Sequence, residues 1–345
     1  MSYDRLMTIL EENKKVVDNF IFQFLPREHK IPEVKYLYEM MRDYPSRRAK
    51  GLRSSLCMIV CEAFGGDPRS ALITAAAIEL FQNWILIHDD IEDDSDMRRG
   101  APTLHKKYGI PLALNVGDAL HGRMWECLLK NREIFDDRKV CNIISEFSRM
   151  VNETTEGQHI ELMWIANNRW DLTEEDYYRL CEKKTSWYTC ITPCRLGAII
   201  ANAPSEKLDE LIPFGRSLGI AFQITDDILN LESDVDKYGK ETFGDIWESK
   251  RTLMVIHLLK VCNSDERERV LKIMSKKRWE KKDSEVFEIY RLMKSLGVIE
   301  YARKKSMDFA SEAMRYFDSI FGDLPEVNAK QTLREIIKFM IMRQW

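Results

Sequence analysis

Apolar residues recur every three or four positions along most of the chain, the spacing of one helix face. No Val/Ile-rich run alternates apolar and polar residues between turn signals, as a half-buried strand would. Short punctuation divides the helical segments at residues 26–32, 44–46, 65–68, 100–102, 109–111, 202–204, 238–239 and 321–325, most of them carrying Gly or Pro. Asp67 before Pro68 opens one helix, and the stretch Asp171-Leu172-Thr173-Glu174-Glu175 opens another. In each, a side-chain oxygen can cap the first turn, and the later acids suit its positive end. The pattern predicts an all-α fold of roughly ten or more helices in one domain spanning residues 1–345.

Composition supports that reading. With 45% apolar and 31% charged residues in 345, a sizeable core is available, while 15 Gly and 10 Pro are too few for a large turn-rich sheet protein. A net charge of -4 gives no global basic field for nucleic acid or an anionic membrane surface, so any anionic ligand has to be met by local clusters or metal ions. The eight cysteines form no repeated CxxC. Cys57/Cys61 and Cys190/Cys194, four apart, read as buried or half-buried helix thiols, in keeping with a reducing cytoplasm. The N-terminal residues carry acids early and resemble neither a signal nor a transit peptide. The most apolar run, residues 71–87, is interrupted by Glu79, Gln82 and Asn83 and reads as a buried helix rather than a membrane span.

Two segments resemble each other. Residues 80–93 (LFQNWILIHDDIED) and 218–230 (LGIAFQITDDILN) are apolar helices ending in Asp-Asp-x-x-(Asp/Asn). Asp89 and Asp93 are i and i+4, on one face and roughly 6 Å apart, with Asp90 beside them. Two carboxylates near a helix C-terminus repel each other and oppose its dipole, a conflict that a hard divalent cation relieves. Asp226 and Asp227 make a matching site, with Asn230 one turn on. An acidic run alone is as well explained by a solvated face. The apolar Trp84-Ile85-Leu86-Ile87 just before it, and the second copy, favour a cation site at the mouth of a buried helix. Basic residues stand near both motifs: Arg98 and Arg99 after the first, Lys240 and Lys250 after the second, and Lys50 and Arg53 three apart on one expected helix face. Their donors suit diphosphate oxygens.

Taken together, the segments HDDIEDDSDMRRGAPTLHKKYG and GIAFQITDDILNLESDVDKYGKETFGDIWESKRTL resemble the two aspartate-rich motifs of the trans-prenyl diphosphate synthases, with specific matches over about residues 45–255. The resemblance implies a helical bundle around a central cavity and a homodimer. It implies magnesium ions, three per site, held by Asp89, Asp93 and Asp226 with Asp90 and Asp227 in support. It implies an allylic diphosphate gripped by Arg98, Lys184, Lys240 and Lys250, and isopentenyl diphosphate held by Lys50, Arg53, Arg99 and Gln82. Lys184, Thr185 and Gln223 would line the reaction centre.

Three positions depart from the family pattern: Asn230 for an aspartate, Gln82 for a histidine and Ala49 for a glycine. The implied reaction is ionisation of the allylic diphosphate, condensation and proton loss, with no side-chain nucleophile; His88 is expected to pack beside the site. Phe81, Trp84 and Ile85, on the turns below Asp89, would set product length; Phe81 lies about 12 Å away on nearly the same face. In the family, a bulky residue five before the first aspartate, as Trp84 is here, goes with a twenty-carbon product, and farnesyl is the near rival. A terpene cyclase and a non-catalytic partner subunit are the other readings. The first would not need Lys50 and Arg53, and the second would be expected to lose aspartates that are all present here. The C-terminal Arg343-Gln344-Trp345 is a candidate to close over the site.

Overall fold

The computed structural model describes residues 4–232, 242–325 and 327–342. In chain order the first helices are α1 (Asp4–Phe24), α2 (Pro32–Met41), α3 (Asp43–Ser46), α4 (Leu52–Ala63) and α5 (Leu72–Glu92). A two-residue-strand hairpin follows, β1 (Met97–Arg98) antiparallel to β2 (Ala101–Pro102). Then come α6 (Leu104–Tyr108), α7 (Ile110–Leu129), α8 (Asp137–Ala166), α9 (Glu174–Cys181), α10 (Thr192–Ile200) and α11 (Ser205–Glu232). The C-terminal part adds α12 (Gly244–Trp247), α13 (Leu253–Val261), α14 (Ser264–Met274), α15 (Asp283–Ser295), α16 (Val298–Phe321) and α17 (Asn328–Met342).

The helix starts follow from local chemistry. The Asp67 carboxylate accepts the Arg69 amide and Pro68 opens a 3-10 turn that leads into α5. Thr173 and Asp176 form a reciprocal capping box at the start of α9. α5 is apolar nearly all round, which only a buried helix tolerates. By length and composition, residues Pro68–Glu92 would suffice to cross a membrane, but 72% of an apolar 18-residue stretch within them is buried inside the fold. The break expected at 44–46 is instead the helical turn α3, whose Tyr44 and Pro45 are buried. The chain leaves it through Arg47 in an extended conformation.

Three apolar clusters surround the centre. One packs α5 against α1, α7 and α8 through Phe81, Leu120 and Phe147. A second joins α4, α10, α11 and the last two helices through Leu56, Phe214 and Phe317. The third joins α9, α11, α13 and α16 through Ile224, Leu258 and Ile299. Cys57, Cys61, Cys190 and Cys194 are buried free thiols within the first two.

Between α9 and α10 the helix widens into ten π-helical residues, Glu182–Ile191. Two glycines let neighbouring helices close on it. A Cβ on Gly157 of α8 would fall 2.3 Å from the Lys184 amide nitrogen, and one on Gly219 of α11 would fall 2.5 Å from the Ser186 Cα. π-helical turns re-aim side chains and recur at functional sites. This one carries Lys184 and Thr185 between the two aspartate-bearing helices.

Candidate active site

Asp89, in the last turn of α5, and Asp226, near the end of α11, line one cleft of about 300 Å³. The cleft is also lined by Arg53, Gln82, Ile85, Arg98 and Arg99 from the N-terminal half of the chain, and by Lys184, Thr185, Gln223, Asp227 and Lys250 from the C-terminal half.

Asp89 accepts hydrogen bonds from Lys184 Nζ and Arg98 Nη2, each at 3.2 Å. Lys184 is also bonded to Glu161. Burial works against the Lys184 charge, but Glu161 and Asp89 outweigh it and hold its pKa above the ordinary lysine value. Around Asp227 the bonds form a chain. Thr185 donates to the Gln223 carbonyl oxygen (2.7 Å), the Gln223 amide donates to Asp227 (2.7 Å), and the Tyr177 hydroxyl donates to the other Asp227 oxygen (2.7 Å). Even so, burial raises the Asp227 carboxyl to about 7.

Asp93 caps the end of α5 and lies in a smaller adjoining pocket with Asn230 and Glu248; Arg98, Asp245 and Lys250 line both pockets. Lys250 pairs with Asp93 at 2.7 Å and with Glu248 at 3.0 Å. Burial nevertheless raises Asp93 to about 7. Two buried carboxyls held back from ionisation by burial suit a further cation.

Several expected residues sit elsewhere. Asp90 is wholly buried behind the cleft; Arg98 Nε reaches its two oxygens at 2.8 and 3.1 Å, and Tyr44 donates its hydroxyl to it. Lys50 and Arg53 do not share a helix face. Gly51 takes a left-handed conformation (φ 59°), α4 starts only at Leu52, and the Lys50 ammonium lies 4.9 Å from the Phe339 ring centre. Arg53 stays in the cleft, donating to Thr189 at 2.8 Å and lying over the Tyr188 ring. With its amide turned to satisfy its neighbours, Gln82 accepts from Arg53 at 2.8 Å and donates to Glu79 at 3.0 Å.

Phe81 and Trp84 form a second layer. Phe81 meets Trp84 edge-on at 5.5 Å and stands 5.9 Å from the Tyr188 ring that lines the cleft. His88 packs near Asp118 rather than into the cleft. Asn230 uses its side-chain oxygen to hold the Asp245 amide at 3.0 Å. Lys240 and the 343–345 tail lie outside the described residues.

The sequence reading missed Glu161, Tyr177 and Arg251, all of which line the cleft. Thr154, Gln158 and Glu161 are spaced four and three apart on a buried face of α8, a polar stripe that periodicity could have revealed. Arg251, over the Trp170 ring, carries no spacing signal. Burial lowers the Arg251 and Arg99 guanidiniums to about 10. Two arginines disfavoured in this way at one cleft call for an anion.

Among the described residues, no three His, Cys, Asp or Glu side chains converge on one point as a closed metal cage. Magnesium suits such a partial donor set, because it binds through one or two carboxylates and completes its shell with water and phosphate oxygens.

The family model described as "Polyprenyl synthetase" matches residues 34–293. A geranylgeranyl diphosphate synthase of Sulfolobus acidocaldarius is 33% identical over 90% of this chain and 92% of its own length. A short chain isoprenyl diphosphate synthase of Methanothermobacter thermautotrophicus is 34% identical over 86% of each chain. The crystal structure of geranylgeranyl pyrophosphate synthetase from Pyrococcus horikoshii Ot3 superposes with a TM-score of 0.86 at 32% identity, covering 99% of both chains. The all-helical bundle, its cleft between two aspartate-tipped helices and these matches agree: the chain belongs to the polyprenyl synthetase family of prenyltransferases.

Proposed function

We propose that this protein condenses isopentenyl diphosphate with an allylic diphosphate and that its main product is geranylgeranyl diphosphate. The observation that carries the reading is the meeting of Asp89 and Asp226 in one cleft that also holds Arg53 and Arg99. A carboxylate pair for a metal-bound diphosphate thus stands beside separate guanidiniums for a second one. The geranylgeranyl synthases of Sulfolobus acidocaldarius and Pyrococcus horikoshii support the product assignment.

In this reading Asp89, Asp93 and Asp226, backed by Asp227, would hold three magnesium ions together with the allylic diphosphate. The bound ions would supply Lewis-acid stabilisation of the departing diphosphate. Lys184 and Lys250 are preorganised cations that neutralise the charge developing on the leaving group. Arg53 and Arg99, with Gln82, orient isopentenyl diphosphate so that its double bond meets the allylic carbon, which makes the encounter effectively unimolecular. The Gln223–Thr185 pair presents oxygens toward the forming cation. The departing diphosphate is the base for the lost proton. A homodimer in the cytoplasm is the expected working form.

The test is incubation with magnesium, isopentenyl diphosphate and dimethylallyl, geranyl or farnesyl diphosphate, followed by product sizing. A linear twenty-carbon diphosphate is expected, and turnover should vanish with EDTA and return with excess magnesium. A fifteen-carbon product would make it a farnesyl synthase, a cyclised hydrocarbon a cyclase, and no consumption of isopentenyl diphosphate a partner subunit.

Product length is expected to depend on the layer under the cleft. Trp84, stacked on His121 at 4.0 Å, meets Phe81 edge-on, and in this reading the two rings close the way down along α5. Trp84→Ala removes that bulk, so chromatography should find products beyond twenty carbons. An unchanged product would place the floor elsewhere.

A further inference from the structure

The hairpin that carries Arg98 and Arg99 has an unfavourable turn at its tip. Its strands pair Met97 with Pro102 and Arg98 with Ala101, which leaves Arg99 and Gly100 as a two-residue loop. Both have positive φ, 53° and 76°. A loop of this kind wants Asn or Asp at its first position, where the left-handed backbone is tolerated. Arg99 has a Cβ that opposes that conformation, so something outside the hairpin has to hold it.

One side chain outside the hairpin does so. Arg47 spans the turn with a single guanidinium, donating from Nη1 to the carbonyls of Arg98 (2.8 Å) and Ala101 (3.3 Å) and from Nη2 to the carbonyl of Pro102 (2.8 Å). Its third nitrogen, Nε, pairs with Asp43 at 2.7 Å, and its side chain is only 8% exposed. The guanidinium lies 4.4 Å from the centre of the Tyr44 ring. Tyr44 donates its hydroxyl to Asp90, and Asp90 pairs with Arg98. The contacts therefore close a ring through Arg47, Tyr44, Asp90 and Arg98, and back to Arg47. The Arg99 side chain is fixed from the same segment by the Tyr44 carbonyl, to which it donates at 3.1 Å, and from α5 by Asn83 at 3.2 Å.

We propose that Arg47 is a positioning residue for the isopentenyl diphosphate subsite, holding the left-handed Arg99–Gly100 turn so that the Arg99 guanidinium faces the cleft. This rests on the reading of Arg99 as an isopentenyl diphosphate contact. Arg98 has its own buried partner in Asp90, so the allylic side depends less on Arg47.

Steady-state kinetics test it. In Arg47→Met the KM for isopentenyl diphosphate should rise roughly tenfold or more, while kcat and the KM for the allylic substrate change less than about threefold. Arg47→Lys, which keeps the charge and some donors but loses the planar fork, should fall between wild type and Arg47→Met. Arg42→Met is the control. Arg42 is the neighbouring arginine that donates to the carbonyls of Leu25 and Phe22, away from the hairpin, so its loss should lower the melting temperature without moving that KM.

An unchanged KM for isopentenyl diphosphate in folded Arg47→Met overturns the proposal, as does an equal rise in Arg42→Met. Should Arg47→Met fail to fold, Arg47→Lys decides by the same KM criterion. Wild-type protein that does not consume isopentenyl diphosphate would instead sink the proposed function.

Discussion

Asp89→Ala is expected to cut kcat by about 10³ or more while the melting temperature stays within roughly 2 °C of wild type. The two halves of this expectation have separate causes. Asp89 is the carboxylate that α5 presents directly to the cleft, where it would share a metal-bound diphosphate with Asp226 of α11. No other carboxylate of α5 lines that cleft, since Asp90 points into the core and Asp93 into the adjoining pocket. For the fold, Asp89 is nearly dispensable. Its two cationic partners keep others: Lys184 retains Glu161, and Arg98 retains Asp90. Its removal also relieves a like charge near Asp93 at a helix C-terminus, where the dipole opposes acids. Thermal melts and turnover at saturating magnesium would check both halves. Near-normal turnover in the folded variant would remove Asp89 from the reaction.

The sequence made the outline of this site readable because metal and diphosphate chemistry draws on few residue types at helical spacing. Asp-Asp-x-x-Asp after a run as apolar as Trp84–Ile87 has few structural uses, and a second copy leaves fewer. What stayed hidden lay in backbone conformation. Left-handed Gly51 separates Lys50 from Arg53, although their spacing reads as one helical face. The π-helical run through Lys184 and Thr185 leaves no mark in hydrophobic periodicity; its visible signature is tertiary, the close approach of α8 and α11 at Gly157 and Gly219. Turn counting puts Phe81 and Trp84 below Asp89 on one helix, but does not reveal that the neighbouring Tyr188 ring, and not Phe81, lines the cleft. Asn230, a departure from the family's acidic pattern, has a use that only coordinates reveal, as the acceptor for the Asp245 amide.

Asp90→Ala should produce the opposite result from Asp89→Ala, although the two aspartates are neighbours in one motif. Asp90 has no exposed surface, and the Arg98 fork and the Tyr44 hydroxyl converge on its carboxylate. Its truncation leaves the buried Arg98 guanidinium with one longer contact, to Asp89 at 3.2 Å, and takes the acceptor from a tyrosine that is itself fully buried. Breaking a buried ion pair from one side costs about 3–5 kcal/mol, because the remaining charge keeps its desolvation penalty without its counter-charge. For a chain of this size that corresponds to a fall of roughly 4–7 °C in melting temperature. Asp90→Asn should lose less, since its amide oxygen still accepts from Tyr44 or Arg98 while the charge is gone. Denaturant titration of the three proteins should rank wild type first, then Asp90→Asn, then Asp90→Ala. If Asp90→Ala were as stable as wild type, the ring that joins α3, α5 and the hairpin would not be what holds Arg98 in place. Turnover of Asp90→Ala should fall as well, but through the released Arg98, so the loss should appear in the KM for the allylic diphosphate before it appears in the affinity for magnesium.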